Sequence, residues 1–300
     1  MFLVSLKPYY KISMLSVVIV TYNSQNIICN AILHIINKVN IKIYVVDNAS
    51  QDDTVSIVKS LKGNNIEIIE SEKNIGYGPA SNLALKKITS EYVLLLNPDA
   101  EISYENIINM ENIMNTNNDI GILSAKLTDI KEISISNIHN VANGKTIDVN
   151  KVIFAVVLIK MNIFRKIGLF DPNIFMYFED FDVSKRFLSI NLRVCECLDI
   201  FAYHKGGGSS TQNFNILYIK EKSREIGRMY YKMKHFYSEY NFYCLHLRYL
   251  LKYTIVLPFY ICIFSKNNIV KNYARSIGII KSFLRGNILS KMTVYNNFFR

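Results

Sequence analysis

At 300 residues, 50% of them apolar, the chain is long enough to bury a full hydrophobic core, which excludes an intrinsically disordered protein. A formal charge of +11 would suit a nucleic-acid binder, but Lys220 to Arg300 holds 15 Lys and Arg against 3 acids, leaving 20 against 21 in the first 219 residues. The basicity belongs to a tail that shows no nucleic-acid module and whose aromatic residues lie in apolar helices, so no nucleic acid is expected as a partner.

Residues 1–14 break a short apolar run with Lys7 and Pro8; lacking the core of a secretory signal, the chain is expected to stay inside the cell. The runs at 15–21 (LSVVIVT) and 41–46 (IKIYVV) are short, apolar and β-branched, the pattern of strands buried on both faces of a parallel sheet. Between them NIICNAILHIINKV, and after them DDTVSIVKSLK, carry apolar residues at helical spacing. The alternation continues with a strand at 66–70, a helix near 79–89 and a strand at 91–96, so the first hundred residues predict half of a doubly wound α/β sheet. A buried strand over 151–160, a helix over 161–168, and two short strands, RVCECL and IFAYH, follow. Cys195 and Cys197 share one face of the first of these and are read as core thiols; the five cysteines form no CxxC pair, which fits a reducing cytosol. A basic, Tyr-rich helix is predicted over 214–240 and a very apolar one over 243–264.

In such a sheet ligands bind outside the carboxyl ends of the strands. All four predicted strand ends carry polar turn residues: Thr21-Tyr22-Asn23-Ser24, Asp47-Asn48-Ala49-Ser50, Asn74-Ile75-Gly76-Tyr77-Gly78 and Asn97-Pro98-Asp99. Asp99 puts a carboxylate at the rim, where a hard cation bridging two phosphates could sit, since Mg2+ or Mn2+ takes only one or two protein carboxylates. A plain Asn-Pro-Asp turn explains the same residues. Glu179-Asp180-Phe181-Asp182 places three carboxylates at a predicted helix start, where the dipole accounts for one or two; a third beside a substrate hydroxyl could act as general base. His204 precedes Gly206-Gly207-Gly208 after Lys205, a loop able to bring backbone N–H groups to phosphate, with an imidazole available to a metal; it also reads simply as a loop histidine.

These stretches, SVVIVTYNS, VVDNAS with Asp52 following, NIGYGPASN, LLLNPDA, IGLFDPNIFMYFEDFD and HKGGGSS, resemble in order the motifs of the inverting family 2 glycosyltransferases, especially the rhamnosyltransferase-like branch, over about residues 15–235. The resemblance implies a glycosyltransferase A-type fold: a Rossmann-like, mostly parallel sheet with helices on both faces, here with a C-terminal helical extension. It implies that Thr21, Tyr22 and Asp47 hold base and ribose with Asp52 nearby, that Asn74, Gly76, Gly78 and Asn82 line the sugar-diphosphate side, and that Asn23, Asn48 and Asn97 also belong to the donor site. Asp99 and His204 would be ligands of a divalent metal, Mg2+ or Mn2+, and Asp180 the catalytic base, with Glu179 the second choice. Implied partners are a nucleotide-sugar donor, dTDP-rhamnose or a UDP-sugar, and a glycan or lipid-linked acceptor hydroxyl. Two departures stand out: Asn97-Pro98-Asp99 replaces a DXD motif, and Phe154-Ala155 replaces a pair of small residues before the acceptor-side helix.

The expected organisation is a catalytic domain over 1–240, with a nucleotide half at about 15–100 and an acceptor half at about 101–213, and a tail over 241–300. The stretch YTIVLPFYICIF is too short for a span of roughly 20 apolar residues, but basic and Tyr-rich flanks suit a peripheral membrane contact. This predicts a cytoplasmic protein at the inner face of the plasma membrane. A dinucleotide oxidoreductase is disfavoured because the first strand leads into TYNS and not into a GxGxxG turn. A non-catalytic glycan- or nucleotide-binding protein on the same fold remains the alternative.

Overall fold

The computed structural model of the chain describes residues 14–131, 144–204, 206, 214–236, 244, 246–255 and 266–298, without the side chains of 266 and 285–298. Strand β1 (Leu15–Thr21) is buried at all seven positions and pairs in parallel with β2 (Ile41–Asp47) and with β4 (Tyr92–Leu96), while β3 (Ile66–Glu70) adds to the outer edge of β2. Helices α1 (Ile28–Leu33), α2 (Thr54–Ser60) and α3 (Tyr77–Leu85) make the crossovers. The strand order runs β3-β2-β1-β4, so the chain reverses its direction of winding between β1 and β4, the place where open α/β sheets bind ligands outside the carboxyl ends.

The second half is mixed. After the two-residue β5 (Ala100–Glu101) and α4 (Tyr104–Thr116), β6 (Ile120–Thr128), β7 (Thr146–Asp148), β8 (Val156–Lys160) and β9 (Arg193–His204) complete the sheet as β8-β6-β9-β5, with β7 on β9. Here β8 is antiparallel to both β4 and β6, and β6 and β9 are parallel. The predicted strand over 151–160 begins only at Val156, because Asn97 N–H bonds the Ala155 carbonyl at 2.8 Å and the preceding residues turn. The two strands predicted at RVCECL and IFAYH are one, β9, with a bulge: Ser124 faces Glu196, and two residues later Lys126 faces Phe201. That bulge carries β9 on to β5, so that Ala100 lies opposite His204.

Alternate residues of the central strands supply two cores. Val17, Ile19, Ile43, Val45, Leu94 and Leu96 face α1 and α4, with Cys195 and Cys197 on the same side. Val18, Val20, Val46, Val93 and Leu95 face α3, α5 (Met161–Lys166) and α6 (Glu179–Leu188). Each such side chain contributes about 1.5–3 kcal/mol by leaving water. Two long helices complete the described chain, α7 (Phe214–Phe236) and α8 (Lys266–Phe298), with residues 246–255 also helical. The tail is not basic throughout. Glu221 and Glu225 of α7 are buried against Arg275 of α8 and against Arg228 and Tyr253, and Gly278 lets the helices approach, since a Cβ there would meet the Lys222 carbonyl at 2.7 Å. Residues 237–243 and 256–265, which hold the end of the helix predicted over 214–240 and most of the apolar stretch, lie outside the described residues, as do Gly207, Gly208, Ser209 and Ser210.

Candidate active site

The loops after β1, β2 and β3 are tied to one another by side-chain to backbone bonds. Thr21 Oγ1 donates to Asp47 Oδ1 at 3.1 Å, and Asp47 Oδ2 accepts from Ser50 N at 2.9 Å, so the buried Asp47 carboxylate closes both strand ends. Asn23 accepts from Gln51 N at 2.8 Å while its own N–H reaches Ser50 Oγ at 2.9 Å. Buried Asn48 bonds three ways: Nδ2 to Asn74 Oδ1 at 3.0 Å and to the Gly76 carbonyl at 3.3 Å, and Oδ1 from Ile75 N at 2.9 Å. Burial alone would push Asp52 up, but bonds from Thr54 and from Gln25 N outweigh it and hold this carboxyl below the usual range. Tyr22, in contrast, stands at the mouth 43% exposed, an aromatic face open to a flat ligand.

At the end of β4 the chain turns through Asn97-Pro98-Asp99, with Ala100 N bonded to the Asn97 carbonyl at 3.1 Å. Pairing of β5 with β9 then sets His204 beside this turn. Its Nε2 lies 3.3 Å from Asp99 Oδ1, although the two are 105 positions apart in the chain, and the side chains are only 17% and 10% exposed. Among the described residues no group of three or more His, Cys, Asp or Glu could hold a metal ion. One carboxylate oxygen and one imidazole nitrogen nevertheless fit a hard divalent cation that draws its other ligands from phosphate and water.

The acidic segment is placed from outside. Tyr177 and Phe178 precede α6 in the left-handed region, at φ 67° and 72°, and turn Glu179 and Asp180 back toward the sheet. Neighbours on two sides hold this conformation. On one side Tyr77 N bonds the Phe175 carbonyl at 2.9 Å, and a Cβ on Gly76, at φ 92°, would fall 2.0 Å from that oxygen. On the other, Arg224 of α7 lies 4.5 Å from the Tyr177 ring centre, and a Cβ on Gly227 would meet the Tyr177 carbonyl at 2.5 Å. Lys234 bridges Asp171 at 2.7 Å and the buried Asp182 at 2.8 Å, and Asp182 also bonds His235 at 2.8 Å and Arg186 at 2.9 Å. Asp182 is thus structural, anchoring α6 to α7.

Glu179 is half-buried as a residue, yet its Oε2 is enclosed and takes no hydrogen bond among the described residues. Burial, with the Asp180 charge beside it, pushes its carboxyl up to about 8. Burial also raises Asp180, opposed by a bond from Phe181 N at 2.9 Å and by the charge of Lys151, whose Nζ lies over the Phe181 ring. Tyr77 links this pair to the β4 rim: Glu179 lies near enough to raise its hydroxyl further, and that hydroxyl donates to the Phe154 carbonyl at 3.4 Å, next to the Ala155 carbonyl that receives Asn97. The Phe154 ring itself points into the core, edge-on to Phe170.

Of the residues singled out in the sequence, Thr21, Asn23, Asp47, Asn48, Asn74 and Gly76 meet in one hydrogen-bonded rim, with Asp52 bonded to its neighbour Gln25, while Asp99 and His204 meet at the β4 turn. Asn82 and Gly78 face elsewhere. The Asn82 carboxamide bonds both the carbonyl and the N–H of Phe170, at 2.9 and 3.1 Å, and Gly78 packs on the Phe170 side chain. The residues that sequence reading missed are Asp171, Arg224, Gly227, Lys234 and His235, which position the acidic segment; the one local signal was a lone glycine inside a helical pattern, which often marks close backbone approach. A separate open groove of about 610 Å3 lies at the start of β9; its Arg193 and Asp148 pair at 2.7 Å, so it offers no comparable unsatisfied chemistry.

Residues 16–176 match the family described as Glycosyl transferase family 2. The low-salt glycan biosynthesis hexosyltransferase Agl10 of Haloferax volcanii is 26% identical over 210 residues, 63% of this chain and 66% of its own length, so the chain spans slightly less than two thirds of that curated relative. The mannosyltransferase PcManGT of Pyrobaculum calidifontis, solved with GDP-Man and Mn2+, superposes with a TM-score of 0.59 at 14% identity, over 90% of this chain and 87% of its own. Residues 1–349 of S. aureus TarS, solved with UDP-GlcNAc, give 0.52 at 17% identity, over 91% and 92%. The expected A-type fold is therefore the observed one.

Proposed function

Because the chain belongs to glycosyl transferase family 2, we propose that it transfers a sugar from a nucleotide-diphosphate donor to a hydroxyl of a glycan or lipid-linked oligosaccharide, inverting the anomeric centre. The observation that carries this reading is the Asp99–His204 pair, 3.3 Å apart just beyond β4, next to the point where the strand order reverses. The motif resemblance to the rhamnosyltransferase-like branch makes dTDP-rhamnose or a UDP-sugar our choice of donor. The Agl10 hexosyltransferase supports a glycan-building role, and PcManGT, solved with GDP-Man, and TarS, solved with UDP-GlcNAc, support a nucleotide-sugar donor.

Tyr22 stacks on the base, and Asp47, already fixed by Thr21 and Ser50, keeps lone pairs for ribose. Asn97 and the Gly76 loop line the donor side. Asp99 and His204 would hold Mg2+ or Mn2+, which supplies charge neutralisation for a diphosphate leaving group. Asp180 accepts the proton of the acceptor hydroxyl as that oxygen bonds to the anomeric carbon and the carbon–diphosphate bond breaks. Burial and the neighbouring Asp180 charge favour the protonated form of Glu179, which makes Asp180 our choice of base.

Purified protein offered a panel of nucleotide sugars, with Mg2+ or Mn2+ added and then chelated, is expected to release nucleoside diphosphate from one donor class, and only with metal. Tight donor binding with no release in the presence of glycan and lipid-linked acceptors would instead leave a binding protein on this fold. We assign the chemistry to residues 1–240, acting at the cytoplasmic face of the plasma membrane.

A further inference from the structure

The helical residues 246–255 lie antiparallel on α8: His246 Nε2 is 3.2 Å from Ser282 Oγ, and the Arg275 guanidinium lies 5.6 Å from the Tyr253 ring centre. With those side chains turned inward, Leu247, Leu251 and Ile255 stack at a spacing of four on the side of this helix that faces away from α8, and all three are between 50% and 72% exposed. Exposed Arg248 and Lys252 lie beside them, and residues 237–300 hold nine Lys and Arg against one acid, Glu239.

We propose that this outer face of residues 246–255 docks on an anionic lipid surface, with Leu247, Leu251 and Ile255 entering the headgroup boundary and Arg248 and Lys252 meeting lipid phosphates. The mixture of exposed apolar and cationic side chains selects that partner. A second copy would bring one cationic face against another. A nucleic acid would leave three apolar side chains against phosphate. The inference is independent of the transfer chemistry, because none of these residues belongs to the rim or the acidic segment.

The test is flotation of the full chain with vesicles of phosphatidylcholine alone or with phosphatidylglycerol added. Binding is expected only to the anionic vesicles, falling as salt rises and weakening ~5-fold for each charge removed. Leu247→Ser, Leu251→Ser and Ile255→Ser together should abolish flotation with the circular dichroism of the fold retained. Arg248→Glu with Lys252→Glu should do the same without touching an apolar residue. The proposal is overturned if the unaltered chain ignores anionic vesicles, if both variants float as well as the parent, or if the parent is a dimer that the serine variant makes monomeric.

Discussion

The donor rim and the acidic segment sit on the same edge of the sheet but are stabilised in opposite ways. The rim is self-contained: Thr21, Asn23, Asp47, Asn48 and Asn74 satisfy one another within three neighbouring loops, at the ends of strands buried on both faces. The segment leading into α6 carries two left-handed, non-glycine residues, each costing ~1–3 kcal/mol, and Glu179 at the helix start has one enclosed carboxylate oxygen with no hydrogen bond among the described residues. Its geometry comes from α3 on one side and α7 on the other. Donor binding and turnover should therefore separate by mutation, because they depend on different parts of the molecule.

The most severe way to break that comparison is Asp180→Asn. Turnover is expected to fall by roughly 10^2–10^4-fold, the usual contribution of a general base, while nucleotide affinity measured by calorimetry stays near that of the parent. A variant that keeps more than a few per cent of the parent rate would move the base elsewhere. Gly227→Ala should come next. Alanine in a helix interior is ordinarily favoured over glycine by about 1 kcal/mol, but this Cβ would lie 2.5 Å from the Tyr177 carbonyl, so the acidic segment has to shift. We expect kcat to drop about tenfold with the donor KM unchanged, since a small displacement of a catalytic group is costly. Equal loss in both constants would show that α7 supports the whole rim.

This division explains what could be seen in the sequence. The hydrogen-bonded rim was legible because its contacts are local: each polar cluster directly follows an apolar, β-branched run, and Asn23, Asp47 and Asn74 bond within their own loops or the next. The Asp99–His204 pair was legible only through the order of motifs, because the two side chains meet through the pairing of β5 with β9, after a bulge that no local pattern announces. Asn82 lies within a recognised motif and bonds Phe170, and the bulky Phe154 turns into the core, contacts that motif position alone does not announce. The supports from α7 were invisible for a plainer reason. Arg224, Lys234 and His235 read as part of a basic helix until the fold shows Tyr177, Asp171 and Asp182 facing them.

Glu179→Gln should change turnover least and still sharpen the contrast, because it tests the enclosed carboxyl that the donor rim has no counterpart for. Glutamine is neutral and of the same shape as a protonated glutamate, so activity near neutral pH should stay close to that of the parent. Stability should not. The folded carboxyl, raised to about 8, holds its proton while the unfolded one releases it near 4.5, so between those values the native state binds more protons than the unfolded chain. Native stability of the parent therefore falls as pH rises through this window, with a limiting slope of about 1.4 kcal/mol per unit, and levels off above it. The glutamine variant lacks that slope, so its advantage in urea midpoint should be absent below the window and largest above it. Parallel stability curves for the two proteins would mean that Glu179 is solvated and ionised like an ordinary surface acid, and the reason for choosing Asp180 as the base would fail with it.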